Sequence, residues 1–174
     1  MRVLIVGAGP TGLTAAVELA RRGVVADIVD KRDGASPLSR AVGILPASLD
    51  ILGPSGVSQK LLAEGMRFRE IRLYRDTAPL LTLSLDAARD GAFILGLPQD
   101  RTEDHLRHAL GDLGVQVRYD TELTAVDQDA DGVRAHFGTD GEERYDYLIA
   151  ADGVHSTVRD CLGLEFPGYD LPEV

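Results

Sequence analysis

The chain has 174 residues, enough for a domain with a buried core, and 44% of them are hydrophobic, an ordinary share for a globular protein. Its 28 acidic residues outnumber 18 basic ones, for a formal net charge of −10, which leaves no basic stripe for a phosphate backbone and argues against nucleic acid as a partner. An anionic ligand must then be held by local backbone dipoles and a few placed cations, not by the overall field.

Cys161 is the only cysteine, so neither an intrachain disulfide nor a multi-cysteine metal site is available, which fits a reducing compartment. With Val158 and Leu162 nearby, Cys161 is expected in the core. The first twenty residues carry an early Arg2 and an apolar run, but Gly7, Gly9, Pro10, Gly12 and Glu18 interrupt it, which argues against a signal peptide. No stretch is long and apolar enough to span a bilayer. A soluble cytoplasmic protein without a membrane partner is expected.

In chain order, Arg2 to Val6 is a short apolar β-branched run and reads as a buried strand. Pro10 to Arg22 carries Leu13, Ala16, Val17 and Ala20 at helical spacing, and Gly23 follows as a stop signal. Val24 to Asp30 reads as a second strand, which makes a βαβ unit with parallel strands and a right-handed crossover. Lys31 to Ala47 is a polar loop, and short helices are expected at Pro46–Leu52 and Ser58–Glu64. From Met66 to Leu97 the pattern changes. Phe68, Ile71 and Leu73, then Leu81, Leu83 and Leu85, predict strands of a different sheet joined near Asp76–Pro79.

Arg101 to Leu113 returns to helical spacing with Thr102 as its expected N-cap. His105 and His108, three apart, are expected on an exposed face of that helix, with no third metal ligand in view. Val115–Tyr119, Glu122–Asp127, Gly132–Phe137 and Arg144–Tyr147 read as strands with turns at Asp131–Gly132 and Asp140–Gly141. Tyr147 to Ala151 is a further buried strand that ends at Asp152–Gly153.

Gly7, Gly9 and Gly12 form G-x-G-x-x-G between a predicted strand and a predicted helix. The first glycine allows the tight turn, the second lets backbone approach a pyrophosphate, and the third lets helix and strand pack closely. The helix N-terminus adds unpaired N–H groups and a partial positive charge. Asp30, at the end of the second strand, is placed to accept hydrogen bonds from both hydroxyls of an adenosine ribose and disfavours a 2′-phosphate there. This pattern does not separate NAD from FAD, because both carry the same ADP moiety.

The order of four segments resolves it. RVLIVGAGPTGLTAAVELARRG, Ser39 to Ile44, Gln99 ahead of a helix, and AADGVHSTVR from Ala150 to Arg159 resemble the aromatic-ring hydroxylases similar to p-hydroxybenzoate hydroxylase, from Arg2 to about Gly168. The resemblance implies that Gly7, Gly9, Thr11 and Gly12 wrap the FAD pyrophosphate and that Asp30 holds the ribose, with Lys31 a basic residue near the adenosine. It implies that Arg40 contacts the cofactor near its pyrophosphate and ribityl chain, that Gln99 reaches the ribityl region, and that Asp152 and Gly153 support the pyrophosphate and NAD(P)H use. Arg40 also reads as a solvated loop residue, Gln99 as a turn residue, and Asp152 as a helix cap over His155–Cys161.

The implied fold is α/β: a three-layer, Rossmann-like FAD-binding domain with a parallel central sheet and an antiparallel β-meander (1–65 and 98–174), and part of a second, substrate-side sheet (66–97). In that family NAD(P)H, a transient co-substrate, reduces the flavin, and O₂ then gives a flavin C4a-hydroperoxide that hydroxylates an aromatic or polyketide-like small molecule. Relatives continue for a couple of hundred residues or more. The chain is therefore expected to be an N-terminal part of a longer enzyme, inactive alone and inclined to self-associate through exposed sheet edges. A related flavoenzyme, such as a halogenase or dehydrogenase, and a non-catalytic nucleotide-binding module are the alternatives.

Overall fold

All four residues of Val3–Val6 (β1) are buried, because the strand is central in a parallel sheet and has a covered face on each side. The computed structural model describes residues 1–35, 43–85, 91–138 and 141–169. They fall into two compact units, Met1–Gly34 with Val115–Val174, and Ala35–Gly114. In the first unit, β1 leads through a glycine loop into the helix Pro10–Ala20 (α1) and on to the strand Ala26–Val29 (β2). β2 pairs in parallel with β1, from Val3 opposite Ala26 to Val6 opposite Val29. α1 buries Leu13, Ala16 and Val17 of the expected stripe together with Gly12, while Ala20, at the helix end, is only partly buried.

The first described element of the second unit is a two-residue strand, Gly43–Ile44 (β3), followed by Pro46–Leu52 (α2), a 3₁₀ turn at Gly53–Ser55 and Val57–Glu64 (α3). Both helices lie where the apolar spacing puts them. Met66–Phe68 (β4), Glu70–Arg75 (β5), Ala78–Ser84 (β6) and Ile94–Gly96 (β7) come next, then the helix Gln99–Asp112 (α4). β7 pairs antiparallel with β3 on one side and β4 on the other, while β5 and β6 form a separate hairpin. The hairpin turns at Asp76, which takes a left-handed φ of 53°. The expected N-cap of α4 is corrected. The helix starts three residues before Thr102, after Pro98 with its fixed φ, and the Thr102 hydroxyl donates back to the Pro98 carbonyl at 3.3 Å.

The chain then returns to the first unit. Val117–Arg118 (β8) extends the parallel sheet, Leu123–Asp129 (β9), Gly132–Phe137 (β10) and Gly141–Tyr145 (β11) form an antiparallel meander, and Tyr147–Ala150 (β12) completes a sheet of order β12-β1-β2-β8. Leu4, Val6 and Val29 point from this sheet into a core with Leu123, Ala135, Phe137 and Tyr145 of the meander and Val158 of the short helix Thr157–Cys161 (α5). Ile5 faces the other way, toward Gly12 of α1. Helix, parallel sheet and meander are therefore stacked in three layers, as the resemblance implies. Cys161 is exposed, a correction: α5 spans only five residues and buries Val158 alone. Among the described residues, no helix is long and apolar enough to cross a membrane.

Candidate functional site: a nucleotide cradle

Because β1, β2 and β12 run in parallel, their carboxyl ends fall together, and the segments that follow them share one edge of the sheet. After β1 comes the glycine loop, after β2 Asp30, and after β12 Asp152–Gly153. The Gly7 N–H donates to the Val29 carbonyl and the Ala151 N–H donates to the Val6 carbonyl, each at 2.8 Å, which ties the loop to both neighbours.

The three glycines have different environments. Gly7 has φ +99°, and a Cβ there would lie 2.3 Å from the Ala151 carbonyl oxygen, so the loop lies directly against the segment leading to Asp152. A Cβ on Gly12 would lie 1.9 Å from the Gly7 oxygen and 3.3 Å from an Ile5 methyl, so this glycine is a packing requirement. Gly9 would meet nothing of the protein within 4 Å. Gly9 is also the N-cap of α1, with no side-chain cap, which leaves the first N–H groups of that helix for a ligand. Thr11, in the first turn, is exposed.

Asp30 is 8% exposed. Its Oδ2 accepts the Ala8 N–H at 2.7 Å and an Arg32 guanidinium N–H at 2.9 Å. Its Oδ1 accepts the Arg32 backbone N–H at 2.9 Å and Arg32 Nε at 3.0 Å. The same guanidinium reaches the Ala8 carbonyl at 3.2 Å. Burial pushes the Asp30 carboxyl up, but hydrogen bonds from the Arg32 side chain and from the Arg32 and Ala8 N–H groups outweigh it and hold the group below its ordinary value. Lys31 is exposed, whereas Arg32 clasps the acid. Arg32 was not singled out from the sequence. Its position two residues past the acid, where the chain turns at the strand end, was the available signal.

The Asp152 carboxylate faces α5. It accepts the Ser156 hydroxyl at 2.7 Å and the Val158 N–H at 3.1 Å, while Ser156 Oγ accepts the Arg159 N–H at 3.0 Å. The capping reading of Asp152 therefore holds, and what this segment offers the cradle is its backbone, with Gly153 at φ +83°. Arg159 stacks on Phe166 with 4.5 Å to the ring centroid, and its guanidinium donates to the Val154 carbonyl at 2.9 Å.

In the second unit, Gln99 is the first residue of α4 and donates its side-chain amide to Glu103 at 2.7 Å. Arg40 lies outside the described residues. His105 Nε2 is 2.7 Å from Glu64, and His108 Nδ1 is 2.8 Å from the Asp104 carbonyl. Among the described residues, no three His, Cys, Asp or Glu side chains are grouped to hold a metal ion.

The first-unit residues fit the ADP half of a dinucleotide. Open space flanks Gly9, uncapped N–H groups head α1, and a buried acid ends β2. All four acceptor positions of Asp30 are already directed at Arg32 and Ala8, so any further donor must share the carboxylate with, or displace, the guanidinium.

Comparison with known proteins agrees. The 6-methylpretetramide 4-monooxygenase of Streptomyces rimosus is 36% identical over 173 residues, which cover 96% of this chain and 31% of that enzyme. The crystal structure of the flavin-dependent monooxygenase PieE in complex with FAD and substrate matches with a TM-score of 0.86 at 28% identity, over 97% of this chain and 33% of that one. The Diels-Alderase PyrE3 of the pyrroindomycin biosynthetic pathway matches with a TM-score of 0.83 at 32% identity, over 97% and 36%. The chain thus spans about a third of the length of these relatives. A family described as the FAD binding domain matches residues 1–172, and the chain belongs to that family, whose cofactor is FAD.

Proposed function

We propose that this chain is the FAD-holding part of an NAD(P)H-using monooxygenase that hydroxylates an aromatic or polyketide-like small molecule with O₂. The observation that supports the reading best is the contact of Gly7 with Ala151–Asp152, which joins the glycine loop, the β2 acid and the Asp-Gly segment at one sheet edge with open space at Gly9. Gly7, Gly9, Thr11 and Gly12 would surround the pyrophosphate. Asp30 would take the ribose hydroxyls, with Lys31 and Arg32 beside it, and the backbone at Asp152 and Gly153 would flank the phosphates. Arg40 and Gln99 would serve the flavin side of the cofactor, as the resemblance implies.

Bound flavin supplies the redox chemistry and O₂ activation. This chain's residues supply position. The α1 N-terminus meets two phosphate charges with backbone dipoles, and Arg32 adds a cation that a net acidic chain otherwise provides sparingly. Residues 66–97 would begin a substrate-side sheet, and substrate contacts would come largely from the two thirds of the relatives that this chain does not match.

The test is oxygen uptake coupled to NAD(P)H oxidation by the whole protein in which the chain occurs, with FAD and a phenolic or polyketide acceptor. The proposal expects both, with a hydroxylated product. Flavin binding without either would instead favour a cofactor-holding protein of other chemistry, a second reading supported by the likeness to a Diels-Alderase.

A further inference from the structure

We infer that Arg32 is a positioning residue for the glycine loop, its guanidinium holding the Ala8–Gly9 peptide in one orientation before a nucleotide arrives. Ala8 stands between Gly7 and Gly9, so no Cβ on either neighbour resists rotation of its peptide planes. Ala8 itself is 1% exposed, and its backbone is gripped on both sides. Its N–H donates to Asp30 Oδ2 at 2.7 Å, and its carbonyl accepts Arg32 Nη2 at 3.2 Å. The Ala8 carbonyl and the Gly9 N–H belong to one planar trans peptide and point in opposite directions. A carbonyl turned toward Arg32 therefore turns the Gly9 N–H away from it, and a flip of that peptide would break the bond.

Neutralising Asp30 does not require this arrangement. The same Nη2 meets Asp30 Oδ2 at 2.9 Å while Nε meets Oδ1 at 3.0 Å, so a planar fork pairs the carboxylate and one arm of it reaches on to the loop. An ammonium group carries the same charge but lacks the rigid fork that fixes both partners at once. Holding the peptide in advance spares a phosphate-bearing ligand the entropy of ordering it. That consequence rests on the proposed binding of a pyrophosphate at this loop.

Two substitutions separate charge from shape: Arg32→Lys keeps a cation beside Asp30 and removes the fork, whereas Arg32→Met removes both. The first readout is the Gly9 backbone amide in ¹H–¹⁵N spectra, with relaxation dispersion, in the protein without added nucleotide. One sharp Gly9 resonance is expected in the parent, and exchange broadening or a second resonance in both variants. An unaltered Gly9 amide in folded Arg32→Lys would overturn the inference, because charge alone would then suffice.

The second readout is affinity for ADP by calorimetry, beside the melting temperature of each variant. Arg32→Lys is expected to lose about tenfold in affinity while keeping most of the stability that Arg32→Met loses. If Arg32→Lys bound ADP as the parent does, Arg32 would serve only to neutralise Asp30 and the inference would be overturned. If the parent itself binds no ADP, the pyrophosphate reading of the loop fails, and the Gly9 spectrum still decides whether Arg32 positions the peptide.

Discussion

Gly9 and Gly12 lie three residues apart in one motif and answer to different constraints. A methyl group on Gly12 would overlap the Gly7 carbonyl, so Gly12→Ala is expected to destabilise the fold by about 3 kcal/mol, visible as a lower denaturant midpoint. A side chain on Gly9 meets no protein atom within 4 Å. Gly9→Val is therefore expected to leave the melting temperature nearly unchanged and weaken FAD binding at least about tenfold by occupying the phosphate path. If the two variants behaved alike, the division into a packing glycine and a ligand glycine would be wrong. Asp30 adds a pH signature. Its folded-state pKa lies below the ordinary 3.8, so the stability it contributes is complete above that value and is lost as pH falls through the depressed one. Asp30→Asn should reduce the slope of the acid limb of a stability-versus-pH curve and also weaken FAD binding, since an amide nitrogen would face Arg32 in place of an acceptor.

At the scale of elements, α3 and α4 are joined by a charged clasp. Arg101 forks onto Glu64 at 2.7 and 3.2 Å, and His105 approaches the same carboxylate at 2.7 Å. The Arg101 hydrogen bond, aided by His105, lowers the Glu64 pKa from 4.5 to about 2. The clasp is complete above the ordinary value and weakens as pH falls from 4.5 toward 2, so melting curves of Glu64→Gln and the parent should differ at neutral pH and converge near pH 2. Glu64 is exposed to solvent, and salt should shrink the neutral-pH difference.

Elements with a full period could be read from the sequence. α1, α2 and α3 carry enough turns for an apolar stripe, and the turns at Asp131–Gly132 and Asp76 have residues that tolerate positive φ. β3 and β7 could not be read, because two or three residues contain no alternation to detect. The places of Gly7, Gly9, Gly12 and Asp30 at the ends of β1 and β2 could be read from spacing, whereas Asp152 entered through the resemblance. Arg32 could not, because its partner Asp30 comes within hydrogen-bond distance only in the folded turn.

At the scale of the whole molecule, the family match covers nearly all of this chain, yet the chain covers about a third of its relatives. The β5–β6 hairpin carries an apolar face. Ile71 stands opposite Leu83 and Leu73 opposite Leu81, so four large apolar side chains share one face, and all are exposed. Leu81→Ser is expected to change the stability of this chain by less than about 0.5 kcal/mol, as for other exposed positions. A cost of about 2 kcal/mol or more on denaturant unfolding would mean that the face is covered in solution.

The central claim is that the sheet edge formed by the glycine loop, Asp30 and Asp152–Gly153 holds the ADP half of FAD. Titration of the purified protein with FAD, followed by flavin fluorescence and competed with ADP, tests it most directly. Saturable binding that ADP displaces and that Gly9→Val weakens is the expected result. Flavin binding indifferent to both ADP and Gly9→Val, or no saturable binding at all, would contradict it.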